Sequence, residues 1–179
     1  MDRRMTNAEL QSLIADLART PEKIRQAIGQ ISGRDPRWKP KSQAFSALEN
    51  VCHLRDIERE GHAIRIARLL QEDQPFLPNI DGDRLAIARR YNEQNLDLAF
   101  NEFIEARQAT IRILKDVSSE SLNRSGTLET GGVVSVEKLL LMIREHDEGH
   151  IRFIHELAQD QELPLLNVGD QLGSQFKPA

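Results

Sequence analysis

The 179-residue chain predicts an all-α protein, a four-helix bundle with long crossover connections. Three observations predict it. Apolar residues recur at helical spacing in several separate stretches. The stretches are bounded by capping residues and breakers, with long polar connections between them. No alternation of apolar and polar residues persists beyond two or three positions, so no strand is expected.

The first stretch, residues 7–19, carries Leu10, Leu13, Ile14 and Leu17 on one face. Thr20-Pro21 resembles an N-cap with proline at the first helical position, so a second short helix or a kinked continuation is expected there. Ile24, Ala27, Ile28 and Ile31 form its apolar face. Residues 33–40 are a loop in which Trp38 is expected to anchor on the core. Ser46 and Glu49 form a capping box that opens a helix running to about Gln71. Residues 73–82, with Pro75 and Pro78, connect it to the longest pattern, from about Asp83 to Val117. A helix of that length would span roughly 50 Å, which invites a kink or break. Residues 118–132 are a polar loop ending in Gly131-Gly132, and Ser135 caps a last helix that fades near Asp160. The whole is expected to be one domain, with a core over about 7–160 and a tail, 161–179, lying along the surface around Leu165-Leu166.

Composition bounds the function. The net charge of −4 argues against nucleic acid as a main partner. No apolar run is long enough for a membrane span, and no signal core follows Met1-Asp2-Arg3-Arg4. The single cysteine, Cys52, excludes an intrachain disulfide and fits a reducing compartment, so a cytoplasmic location is expected. Cys52 itself is expected to be a small buried hydrophobe.

The chemistry gathers in the last helix. His146 and His150 stand four residues apart on the stripe of Leu139, Ile143, Phe153 and Leu157. Two imidazoles one turn apart on a face bound for the core can grip one divalent cation. His53, on the apolar face of the second principal helix, is the candidate third ligand. Three imidazoles suit zinc, nickel, iron, manganese or copper, and they leave a coordination position open. His62 and His155 each fall nine residues after a candidate ligand, half a turn out of phase, and both are expected on the surface. Asp56 and Glu60 flank the His53 face as acceptors for an imidazole or as a solvated flank. The plain alternative is a set of core histidines that satisfy one another. A zincin is excluded because Asp147 follows His146 where glutamate is needed. A carboxylate di-iron bundle is excluded because Asn50 stands three residues before His53.

Residues 45–58, Phe-Ser-Ala-Leu-Glu-Asn-Val-Cys-His-Leu-Arg-Asp-Ile-Glu, together with His146-Asp147-Glu148-Gly149-His150, resemble the two signature motifs of the DinB-like superfamily in order and separation. The resemblance covers roughly residues 7–160. Phe45 departs from it by standing where tryptophan is usual, which bears on packing rather than on metal. It implies a four-helix bundle, one divalent metal on His53, His146 and His150, and frequent dimers. It also implies an activity class that includes metal-dependent thiol S-transferases using bacillithiol or mycothiol and the mycothiol-dependent maleylpyruvate isomerases. Arg107 resembles an arginine common at that place, in a substrate-binding or a structural role. The expectation is therefore a small-molecule thiol and an electrophile as partners. The rival readings are a non-catalytic metal- or ligand-binding bundle and a structural dimer.

Overall fold

The computed structural model describes residues 5–160 and Leu165. Four principal helices form the bundle. Helix α1 (Asn7–Gln30) begins at a capping box in which Thr6 and Glu9 satisfy each other's backbone amides. Helix α2 (Ala47–Asp56) starts at the expected Ser46–Glu49 box. It continues through a π-helical segment (Ile57–His62) into α3 (Ala63–Gln71). The short α4 (Gly82–Ala88) precedes α5 (Leu96–Leu114), and α6 (Val136–Gln159) is capped by Ser135. Helix α1 packs on α5 and α6, and α2 packs on α5 and α6. No helix among the described residues is long and apolar enough to cross a membrane.

Two expectations need correction. Thr20-Pro21 does not start a helix: α1 runs through Pro21 without interruption. Proline has no amide to donate to the carbonyl of Leu17 one turn back. Arg107 Nη1 donates to that carbonyl instead, at 3.0 Å. The Thr20 hydroxyl donates to Asp147 at 2.9 Å rather than capping. The second correction is a small sheet. Strand β1 (Phe76–Leu77) pairs parallel with β2 (Ser125–Leu128), which pairs antiparallel with β3 (Val133–Ser135) through the positive-φ turn at Gly131-Gly132. Strands of two to four residues are too short to register as alternation, and their pairing is long-range. As its length led us to expect, the long pattern from Asp83 to Val117 is not one continuous helix. It breaks between α4 and α5 at Arg90, in the left-handed region at φ 49°, and at the Asn95 cap.

The core is layered along the bundle axis. One apolar cluster joins Leu10, Leu17, Leu114, Leu139 and Ile143. Another joins Ile24, Leu48, Val51, Phe103 and Ile154. Between them lies a buried polar layer of Thr20, Glu58, His62, Arg107 and Asp147. Trp38 packs against Ile31, Ala47 and Leu157 at one end, as its loop position led us to expect. Of the expected tail, Leu165 forms an isolated bridge with Arg34, and the other tail residues lie outside the described residues.

Candidate metal centre

The structure brings His53 of α2 and His146 and His150 of α6 together. One potential ligand atom from each lies within 4.8 Å of the others. His53 Nε2 and His146 Nε2 are 3.1 Å apart. Two nitrogens each about 2.1 Å from one ion at a tetrahedral angle would be about 3.4 Å apart, so the spacing fits shared coordination. His150 is aimed by Asn50: its Nδ1 is 2.6 Å from the Asn50 Oδ1, which leaves Nε2 for a ligand role. The Nδ1 atoms of His53 and His146 are buried with no hydrogen-bond partner among the described residues. Three imidazole nitrogens at this spacing, with His150 turned to present its Nε2, form a donor set of the kind first-row divalent ions take. A divalent ion fits this donor set.

Burial pushes the His53 imidazole down to about 4, with the neighbouring His146 adding to the effect. Burial likewise pushes His150 down to about 3, with His146 and His53 contributing. These two rings are therefore neutral at pH 7, the form that ligates metal. The sign of the pH effect follows. Below about 6.5 the unfolded chain takes up protons that these folded rings refuse. Their share of stability is present above that pH and lost as the pH falls through about 4 and 3. The melting temperature of chelator-treated protein is expected to fall from pH 7 to pH 4. The fall should be smaller in the His53→Gln/His150→Gln variant; an equal fall would remove these histidines as the cause.

The backbone of α4 helps fix His53. A Cβ added at Gly82 would stand 2.3 Å from His53 Cε1 and 2.6 Å from its Nδ1. Gly82→Ala is thus expected to turn the ring and weaken metal affinity by about 10–100-fold. Competition with a zinc indicator would measure it, and an unchanged affinity would mean that the ring position does not matter.

Other candidates fall elsewhere. His155 bonds Gln30 away from the cluster. His62, expected on the surface, is 7% exposed, with its ring edge-on to His146 at 5.3 Å. The π-helical segment explains the difference: one extra residue in a turn sets back everything after it by about 100°. His62 Nδ1 lies 3.2 Å from Glu58, whose other partner is Arg107. Asp56 and Glu60 do not orient an imidazole. Asp56 is buried against Arg55, Arg89 and Tyr91, and Glu60 pairs with Arg89. Asn50 takes the supporting role, and its place three residues before His53 on the same helix was the signal available in sequence. Cys52 is fully buried, and burial pushes its thiol up to about 12, as suits a small hydrophobe.

Beneath the histidines, Arg107 is 1% exposed and grips Asp147 through two bonds of 2.7 and 3.1 Å. Burial alone would push the Asp147 carboxyl up, but the Arg107 guanidinium overrides it and holds the carboxyl well below its ordinary range. Arg107 therefore has a structural role, locking the turn of α6 that carries His146. In front of the histidines a cavity of about 690 Å³ opens, walled by Phe45, Met142 and Phe153.

Fold and site together define a four-helix bundle with a three-histidine cluster, two of whose rings line a mainly apolar pocket. Residues 16–154 match the family model of the DinB superfamily, and the chain belongs to that superfamily. No curated protein sequence matches the chain significantly. Among solved structures, the chain is similar to YfiT from Bacillus subtilis, described as a probable metal-dependent hydrolase with an unusual four-helix bundle topology. The match has a TM-score of 0.80 at 18% identity and covers 89% of this chain and 91% of that one. At that identity the likeness concerns the fold.

Proposed function

We propose that this protein is a divalent-metal-dependent enzyme that transfers a low-molecular-weight thiol to an electrophile, with His53, His146 and His150 as the metal ligands. The observation that supports the reading is the convergence of three imidazoles, two of them neutral at pH 7, beside an apolar cavity. A bound divalent ion would supply Lewis acidity that lowers the pKa of a thiol or a water molecule into the neutral range. The protein's own residues do the rest. His53, His146 and His150 present the donors, and Asn50 and the Gly82 backbone hold two of the rings in place. Phe45, Met142 and Phe153 hold the substrate body and limit water. Membership of the DinB superfamily supports the thiol chemistry only at the level of the family.

A second reading is hydrolysis, with water as the nucleophile. The fold likeness to YfiT, described as a probable metal-dependent hydrolase, favours it. The two are separated by assay of zinc-, nickel- and manganese-loaded protein. One arm offers thiols with halogenated or epoxide electrophiles, and the other offers esters and amides without thiol. Metal-dependent turnover only with thiol supports transfer, and turnover without it supports hydrolysis. No turnover in either arm, with metal bound, would leave a non-catalytic binding bundle as the correct reading. A location in the cytoplasm and assembly as a homodimer belong to the same proposal, and sedimentation would test the second.

A further inference from the structure

The mouth of the pocket has a charge pattern of its own. Among the described residues lining it, two are carboxylates, Asp83 and Glu145, and none is lysine or arginine. Both side chains are exposed, so they stand at the rim. Their places in the chain fix them beside the histidines. Asp83 follows Gly82, whose backbone abuts the His53 ring, and Glu145 precedes His146. Neither has an ion-pair or hydrogen-bond partner among the described residues, in contrast to Asp56, Glu60 and Glu102, which are held by arginines. The large apolar residues of the lining are Phe45, Met142 and Phe153.

A ligand reaching the histidines therefore meets these apolar side chains and leaves its outer end between two uncompensated carboxylates. A positive group there is attracted, a neutral one tolerated, and an anionic one repelled. We propose that this pocket selects small molecules with an apolar body and a cationic or neutral outer end, and rejects those whose outer end is anionic. The inference rests on the proposed function, because it assigns the substrate class of the same site. It narrows the thiol and the electrophile alike: polycarboxylate thiols are poor candidates, whereas amine-bearing or uncharged aromatic ones are good candidates.

The test uses three arylmethyl thiols that share the end directed to the metal. They differ only at the far para position, which carries trimethylammonium, methyl or sulfonate. Binding to the zinc-loaded protein is measured by calorimetry, with zinc content determined on the same samples. The expected order is cation, neutral, anion, with about tenfold or more between the first and last at low salt. The gap should shrink at high salt. In the Asp83→Asn/Glu145→Gln variant the preference should collapse to about twofold with zinc content unchanged. Equal binding of the three thiols, a preference for the sulfonate, no binding by any of them, or a preference that survives in the variant would each overturn the inference. Zinc content reports separately on the proposed function. About one equivalent of zinc without charge preference overturns only the present inference. A cation preference in protein that takes up no zinc supports the charge selection and overturns the metalloenzyme.

Discussion

Replacing Arg107 with methionine is expected to destabilise the protein by about 3–5 kcal/mol, the cost of leaving a buried ion cluster without one partner. For a chain of this size that is a fall in melting temperature of about 10 °C. The reason is local. Among the described residues, Arg107 is the only arginine or lysine in contact with both Glu58 and Asp147, which lie at 0% and 1% exposure. It also satisfies the Leu17 carbonyl that Pro21 leaves without a donor. Methionine fills much of the volume but pairs with none of these groups. The pH dependence distinguishes this account from simple loss of packing. In the parent, Glu58 and Asp147 are held below their ordinary values of 4.5 and 3.8. Their contribution is present above those values and lost as the pH falls through the folded ones. In the variant, burial without a cation pushes both carboxyls up, so they take up protons as the pH falls. The gap between parent and variant, measured by urea denaturation, should therefore be widest at pH 7 and narrower at pH 5. A gap that does not change with pH would show that packing, not charge, is lost. Adding Glu58→Gln and Asp147→Asn to the Arg107 variant should restore part of the stability.

His53→Ala and His150→Ala are each expected to abolish stable metal binding, while the parent, purified without a histidine tag, holds about one equivalent. Elemental mass spectrometry reads this directly. The graded control is Asn50→Ala, which keeps all three ligands but frees the His150 ring. Its expected loss is about 10–100-fold in affinity with stoichiometry retained. The contrast carries the argument: removal of a donor changes how much metal is held, and removal of its support changes how tightly. Metal retained in either histidine variant would sink the three-ligand site. Little metal in the parent, even after incubation with zinc, nickel and manganese, would leave a bundle whose histidines serve another purpose.

Much of the bundle was legible in the sequence because its signals are local. The Ser46–Glu49 box, the Ser135 cap and the apolar stripes of α1, α5 and α6 depend on residues within a turn or two of each other. The pairing of His146 with His150 on one face is of the same kind, since helical phase alone decides it. What sequence could not decide depended on partners far along the chain or on a change of phase. Thr20-Pro21 has the local form of a helix start. Arg107, distant in sequence, satisfies the Leu17 carbonyl that a proline inside a helix leaves without a donor, and Asp147 takes the Thr20 hydroxyl that would otherwise cap. Asp56 and Glu60 sit at the right spacing to serve His53, but Arg55 and Arg89 claim them. The strands are too short to leave a period. His62 departs from its expected place because nine residues of regular α-helix would put it opposite His53, whereas the π-helical turn brings its ring edge-on to His146. Periodicity thus determined which faces are apolar and which two histidines travel together. Only the packing of α2 against α6, and the polar layer beneath it, decided that His53 meets them, because side chains a hundred residues apart are joined by tertiary contact rather than by spacing.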